Sequence, residues 1–194
     1  MWTRINRRFE QDGLFGFLVK VNRKILNKLW LFYYSSFKNV IVGRNVVIEF
    51  GVYIDSCGGK VILGNNTVLR KGAKLITYGG EIKIGNNVTV NHNTIIYGQG
   101  GVTIGDGVLI AANCILIPAN HRFAADRPIR GQGSTAFGIT IGEDVWLGCG
   151  VNLLDNTTIE KGVVIAAGST VTSGCYASYC IYGGTPAKQI GSRV

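Results

Sequence analysis

From Val42 onward, hydrophobic positions recur every six residues. Each six-residue word opens on an aliphatic residue, commonly continues with Gly, and carries a small or β-branched residue four places after the opener. The clearest are IGNNVT (84–89), IGDGVL (104–109), IGEDVW (141–146), LGCGVN (147–152), IEKGVV (159–164) and IAAGST (165–170). A period of six matches neither the helical repeat of about 3.6 nor the coiled-coil repeat of about 3.5, so each word predicts a short strand and a turn. Three words make one triangular coil. Coils stacked at ~4.8 Å can hydrogen-bond backbone to backbone while the openers stack inside. Ile141 and Ile159 lie 18 residues apart, and Ala177 opens a word after 18 more. Val42, Leu63, Ile84 and Ile104 are spaced by 21, 21 and 20, as if 18-residue units carried insertions such as CGG, YGG and GQG. The Gly and Asn that follow the openers suit corners with unusual backbone angles, so the 28 glycines are structural.

The pattern fails in two places. Residues 1–41 contain no such words; Leu14, Leu18, Val21, Ile25 and Leu29 alternate with Lys20, Arg23, Lys24 and Lys28, which predicts an amphipathic helix with a basic face, followed by the apolar-aromatic run LWLFYY (29–34). Between Ile104 and Ile141 the spacing is 37 in place of 18, so about 19 residues leave the coil as a protruding loop that begins at PANHRF (118–123). Loops of that length inside a compact domain are usually functional or disordered.

The net charge of +9 changes meaning once it is located: residues 1–44 hold nine Lys/Arg against two acidic residues, and residues 45–194 hold eleven against nine. A basic N-terminal segment on a nearly neutral body does not predict a nucleic-acid partner. Five cysteines, an odd number without a C-x-x-C pair, read as reduced thiols in a cytoplasmic protein. The short apolar stretch 13–19 is closed by Lys20 and followed by no small-residue cleavage site, and no run reaches the ~20 apolar residues of a spanning helix.

The aliphatic-Gly words, the segment DVWLGCGV (144–151) and the terminal GGTPAKQI (183–190) resemble the hexapeptide-repeat acyltransferases over about residues 42–190. The resemblance implies an all-β fold: a left-handed parallel β-helix of hexapeptide repeats over residues 42–180. A helical segment (1–41) precedes it, a loop protrudes near residues 121–138, and a tail (181–194) closes over the coenzyme. Handedness rests on the resemblance alone, since ordinary parallel crossovers are right-handed. It further implies acyl transfer from acetyl coenzyme A, without a metal, in a homotrimer whose active sites are shared between neighbouring subunits.

Transfer from a thioester to a hydroxyl needs a general base of near-neutral pKa, a donor to the developing oxyanion, and a slot for the coenzyme arm. The loop region is similar to the galactoside and maltose O-acetyltransferases, in which a histidine so placed deprotonates the acceptor hydroxyl; His121 stands there. His92, the only other histidine, competes for the role or neighbours it. Asn91 lies thirty residues before His121, the offset of an acceptor-contacting Asn in that family. Gln99 stands near where the galactoside enzymes have an acidic residue, which leaves the acceptor open. Asp126, beside Arg127 and near Arg130 in the loop, orients the imidazole, binds acceptor, or is a solvated charge. On the donor side the resemblance places Trp146 against the coenzyme channel, Cys149 beside the pantetheine, Ala167 as a backbone partner of its amides and Thr172 further along. Gly148 and Gly168 would let backbone amides approach closely. The family's usual VTKD is here VTSG (171–174), so the phosphate contacts fall to Lys188 and Arg193.

The expected activity is O-acetylation of a saccharide hydroxyl, on a surface polysaccharide or its precursor. Amino-sugar N-acetylation, xenobiotic acetylation and a non-enzymatic β-helix scaffold are the alternatives. Zinc-dependent hydration on this fold would need three histidine ligands, and the chain has two histidines. Residues 1–41 have two open uses that can coexist: capping the first coil, and peripheral contact with the anionic inner face of a membrane.

Overall fold

The computed structural model describes residues 2–193, with side chains from residue 16 onward except residue 17. Leu14 of the expected apolar stripe therefore lies outside the described side chains. Helix α1 spans Trp2–Ser35, and the rest is a β-solenoid of short strands. Among the described residues the strands form three sheets of seven, eight and six members, faces A, B and C of a triangular prism that the chain visits in turn. A two-stranded ribbon stands outside them.

Stacking follows the word openers. Val42, Leu63, Ile84, Ile104, Ile141 and Ile159 are consecutive register partners on face A, as the six-residue pattern requires. The last partner is Tyr176, so the word expected to open at Ala177 is displaced by one residue. Leu63, Leu69, Leu75, Ile84, Ile96, Ile104 and Leu116 are essentially fully buried in the prism. Each such side chain contributes roughly 1.5–3 kcal/mol by leaving water. The Cys180–Gly184 strand continues face B, and Ala187–Ser192 folds back antiparallel against it.

The glycine that commonly follows an opener has a different reason from the one the sequence suggests. A Cβ on Gly43 would lie 2.8 Å from the Asn65 amide nitrogen, and one on Gly142 would lie 2.8 Å from that of Lys161. Close approach of the next coil excludes a side chain there. The left-handed conformation falls two residues later, on Asn45, Asn66 and Asn87.

Helix α1 covers the open end of the solenoid, and the apolar stripe is not the face that docks. Leu18, Ile25 and Leu29 are exposed. Contact comes from Asn27, Trp30 and Tyr34: the Trp30 indole N–H and the Tyr34 hydroxyl both donate to Val52 O (2.9 and 3.0 Å), Ile54 N donates to the Tyr34 hydroxyl (3.1 Å), and Phe50 N donates to Asn27 Oδ1 (3.0 Å). These bonds satisfy backbone groups at a strand edge that has no preceding coil. No helix among the described residues is long and apolar enough to cross a membrane.

Candidate active site

Face A resumes across the interruption as if nothing intervened, Ile104 pairing with Ile141. The intervening segment leaves face C after Ile115–Leu116 and projects from the C–A corner on a ribbon in which Asn120–His121 pairs antiparallel with Ser134–Thr135. Its tip is held together by Gln132, which is buried. The Gln132 amide oxygen accepts from Ala124 N (2.7 Å), and its amide nitrogen donates to Ala124 O (2.9 Å), Arg127 O (2.8 Å) and Pro128 O (3.3 Å). A single side chain thus supplies the polar partners that the loop backbone lacks, and the loop is a built feature of the fold.

His121 sits where the ribbon meets the solenoid, exposed and lining two clefts. The first, about 400 Å³, is bounded by Tyr78, Tyr97, Gln99, Asn120 and Ser134. The second, about 560 Å³, lies on the loop side against Ile129 and Arg130. Among the described residues the imidazole has no hydrogen-bond partner; its backbone N–H donates to Asn120 Oδ1 (2.9 Å). Asp126 does not orient it, since its one charged neighbour is Arg127 at 4.0 Å, with both side chains largely in water. Of the acceptor candidates, then, Gln99 lines one of these two clefts with His121, and Asn91, His92 and Asp126 line neither.

Asn91 and His92 lie at another corner, between faces B and C. Asn91 Nδ2 donates to Ile110 O (3.0 Å), tying the side chain to the next coil, and His92 accepts a backbone bond from Asn113 (2.9 Å). Two coils on, the same corner carries Cys149, and three coils on it carries Ala167 and Gly168. The Gly148 amide donates to Ile165 O and the Gly168 amide to Cys149 O (both 2.8 Å), so neither glycine N–H is available to a ligand. Exposed Ala167 differs: among the described residues its backbone N–H and C=O have no partner. Thr172 follows at the far end of the Thr170–Val171 strand, its carbonyl accepting from the Thr157 and Tyr176 hydroxyls.

Trp146, half-exposed on face B, shares a groove of about 250 Å³ with Leu109, Asp144 and Arg193. Arg193 is already engaged, donating to Asp144 Oδ2 (2.9 Å) and Gly162 O (3.0 Å). Lys188 is exposed on the returning strand. Among the described residues no three His, Cys, Asp or Glu side chains gather so as to hold a metal ion.

Residues 138–173 match the family described as bacterial transferase hexapeptide (six repeats), and residues 39–56 and 81–118 match the hexapeptide repeat of succinyl-transferase. Over those segments the chain carries the hexapeptide repeat. Galactoside O-acetyltransferase of Escherichia coli (strain K12) is 42% identical to it over 83 residues, 42% of this chain and 40% of that protein. The chain thus spans less than half the length of that relative. A hexapeptide-repeat containing acetyltransferase of Vibrio cholerae O1 biovar eltor, complexed with acetyl coenzyme A, is similar with a TM-score of 0.60 and 28% identity, over 70% of each chain. A variant of AntD, an N-acyltransferase of Bacillus cereus in complex with dTDP and coenzyme A, shares the fold with a TM-score of 0.70 and 24% identity, over 79% of this chain and 84% of that one.

In this hexapeptide-repeat chain the sequence reading missed Tyr78, Tyr97, Asn120, Ser134 and Gln132. A signal for the first two was present. The insertions CGG, YGG and GQG fall at the C–A corner of successive coils, the corner from which the His121 loop departs.

Proposed function

We propose that the chain is an acetyl-CoA-dependent O-acetyltransferase acting on a saccharide hydroxyl, with His121 as general base. The observation that carries this reading is the placement of His121 at the root of an ordered loop that interrupts an otherwise continuous solenoid, between two clefts. His121 takes the proton of the acceptor hydroxyl as its oxygen attacks the thioester carbonyl. The tetrahedral intermediate collapses with loss of the coenzyme A thiolate, which recovers that proton from the imidazolium; an O–C bond forms, a C–S bond breaks, and the enzyme is regenerated.

The residues assigned to donor and acceptor support a shared site. Ala167, Cys149 and Asn91 occupy the B–C corner, and His121 with Gln99 the C–A corner, of the same prism. One chain does not bring them together, whereas the B–C corner of a second copy set against the first chain's C–A corner would. We therefore assign a homotrimer in which Ala167 offers its free backbone groups to the pantetheine amides of a donor acylating at the neighbour's His121. The helix adds a second element: Leu18, Ile25, Leu29 and Phe32 are turned from the solenoid beside exposed Lys24 and Lys28, a composition suited to peripheral binding at an anionic bilayer.

Thiol release from acetyl coenzyme A over a panel of pyranosides, amino sugars and simple amines tests the activity. Release that depends on a hydroxyl acceptor supports the reading, and release with amines alone replaces it by N-acetylation. Monomeric mass in light scattering would remove the shared site.

A further inference from the structure

The first cleft contains a backbone anomaly that neither packing nor the repeat explains. The corner segments 56–59, 77–80 and 98–101 are each closed by a backbone bond from the fourth residue to the first: Gly59 to Ser56 (3.1 Å), Gly80 to Thr77 (2.9 Å) and Gly101 to Gly98 (2.8 Å). In the middle one, Tyr78 and Gly79 both have positive φ, +44° and +88°. That is the signature of a type I′ turn, whose first central position favours Asn, Asp or Gly. Cys57 and Gln99, at the same position one coil before and after, have no such angle. Every other left-handed non-glycine residue is Asn or Asp except Tyr179, and the Tyr179 ring lies over Gly162.

The Tyr78 ring has no comparable packing. It is 59% exposed, and its one aromatic neighbour among the described residues is Tyr97, 5.7 Å away between centroids with 32° between planes. A bulky side chain in this conformation costs on the order of 1–3 kcal/mol and is found where function holds it. Both rings border the cleft that His121 and Gln99 also line.

We infer that Tyr78 and Tyr97 form an aromatic platform for the pyranose ring of the acceptor. The C–H bonds on one face of a pyranose carry partial positive charge and meet the negative face of an aromatic ring, while its hydroxyls find the Gln99 and Asn120 amides at the rim. The platform lies one to two coils from His121, a separation of roughly 5–10 Å, about the breadth of one sugar ring. The inference deepens the acetyltransferase reading: it makes the acceptor a cyclic sugar recognised by its apolar face, and excludes acyclic polyols and simple amines as equivalent ligands.

Saturation-transfer NMR on the full chain tests this without requiring turnover. The probes are methyl glucoside, galactoside, mannoside and rhamnoside as pyranosides, galactitol as the acyclic control, and acetyl coenzyme A as an independent reporter of the donor side. Transfer to the ring C–H protons of at least one pyranoside and none to galactitol is expected. It should fall about tenfold in Tyr78→Gly and Tyr97→Ala and persist in Tyr78→Phe and Tyr97→Phe, since the ring, not the hydroxyl, makes the contact. Tyr78→Gly relieves the left-handed strain, so a melting temperature at or above that of the parent shows that lost binding is not lost folding. Unchanged transfer in Tyr78→Gly and Tyr97→Ala, or no transfer from any pyranoside, overturns the platform. Acetyl coenzyme A binding that survives either result leaves the acyltransferase reading standing, and its absence removes that reading instead.

Discussion

Two corners of the same prism obey opposite rules. At the A–B corner each coil hands its polar groups to the next: Asn45 Nδ2 donates to Asn66 Oδ1 (3.1 Å), Asn66 Nδ2 to Asn87 Oδ1 (3.2 Å), Asn65 N to Asn86 Oδ1 (2.8 Å), and Asn86 N to Asp106 Oδ1 (2.7 Å). Those bonds from the Asn86 side chain and amide hold the Asp106 carboxyl below its usual pKa. The positive φ at this corner falls on Asn, Asp or Gly in every coil but the last, where it falls on Tyr179. At the C–A corner the occupants change from coil to coil, from Cys57 to Tyr78 to Gln99 to the His121 loop. Among the described residues the side chains of Tyr78, Gln99 and His121 make no hydrogen bond at all. One edge is saturated by the protein itself, and the other keeps its chemistry open. A repeat protein can afford variation only where the ladder does not need the side chain, so the irregular edge is where a ligand belongs.

The comparison breaks first at His121. His121→Ala should lower acetyl-transfer turnover about 10²–10⁴-fold, the range for loss of a general base. Because the side chain is exposed, its removal should change unfolding free energy by no more than about 0.5 kcal/mol. Steady-state rates beside a denaturation curve check both halves. Turnover near that of the parent would return the base to another group, with His92 the next to substitute.

Gln132→Ala should separate loop from solenoid. It strands the Ala124, Arg127 and Pro128 backbone groups, at a cost of about 1–3 kcal/mol confined to the loop. Hydrogen exchange over residues 122–131 should speed by an order of magnitude or more while the Leu75, Ile96 and Leu116 amides stay protected. Faster exchange throughout would show that the loop holds the coils together.

The prism was legible because its cause is periodic. Openers such as Ile84 and Ile141 must all face inward, so their spacing writes the register directly into the sequence. The one-residue slip at Tyr176 escaped because the last coil is a residue shorter than the count of 18. Winding hand leaves no trace in a period. His121 was legible because it stands at a break in the count, whereas Gln132 was not, since a glutamine bonding backbone carbonyls looks in sequence like any polar loop residue. Tyr78 was hidden by the same arithmetic that revealed His121. Its insertion is only three residues long, and the information lies in which corner carries it, which needs the faces to be known. Leu18, Ile25 and Leu29 marked the helix but not the face that docks, because Trp30 and Tyr34 reach the first coil through hydrogen bonds that apolar periodicity cannot register.

The saturated edge should answer to backbone chemistry rather than to catalysis. Asn66→Ala places a Cβ-bearing residue without local hydrogen bonding at φ 57° and cuts the ladder on both sides, for a loss of about 1–2 kcal/mol. Asn66→Gly should recover most of it, since glycine accepts that conformation freely. Neither should move acetyl-transfer rates. A larger loss in Asn66→Gly than in Asn66→Ala would mean that the side-chain ladder, not the backbone angle, governs this corner.

The smallest expected effect lies at the capped end, where α1 meets the first coil. Glu49 is buried there, and its carboxylate accepts from Arg70 Nη1 (2.8 Å) and the Lys71 amide (3.0 Å). Burial pushes its pKa up, but the Arg70 bond, the Lys71 amide and the charges of Arg70 and of Arg23 on α1 outweigh it and hold the carboxyl below its usual 4.5. A carboxyl depressed on folding stabilises above its unfolded pKa, and that contribution fades as pH falls through the folded value. Acid below about pH 4.5 should therefore loosen the helix from the first coil, by under about 1 kcal/mol because Arg70 is 41% exposed and water screens the pair. The Trp30 indole N–H, protected by Val52 O, reports the docking directly in an NMR exchange series from pH 7 to pH 3. In Glu49→Gln its protection should be weaker at pH 7 and should lose most of its acid dependence. If Glu49→Gln matches the parent at pH 7 and neither protein responds to acid, the helix is held by Asn27, Trp30 and Tyr34, and the capped end obeys the rule of the saturated corner, backbone groups answered by fixed partners, with no charge required.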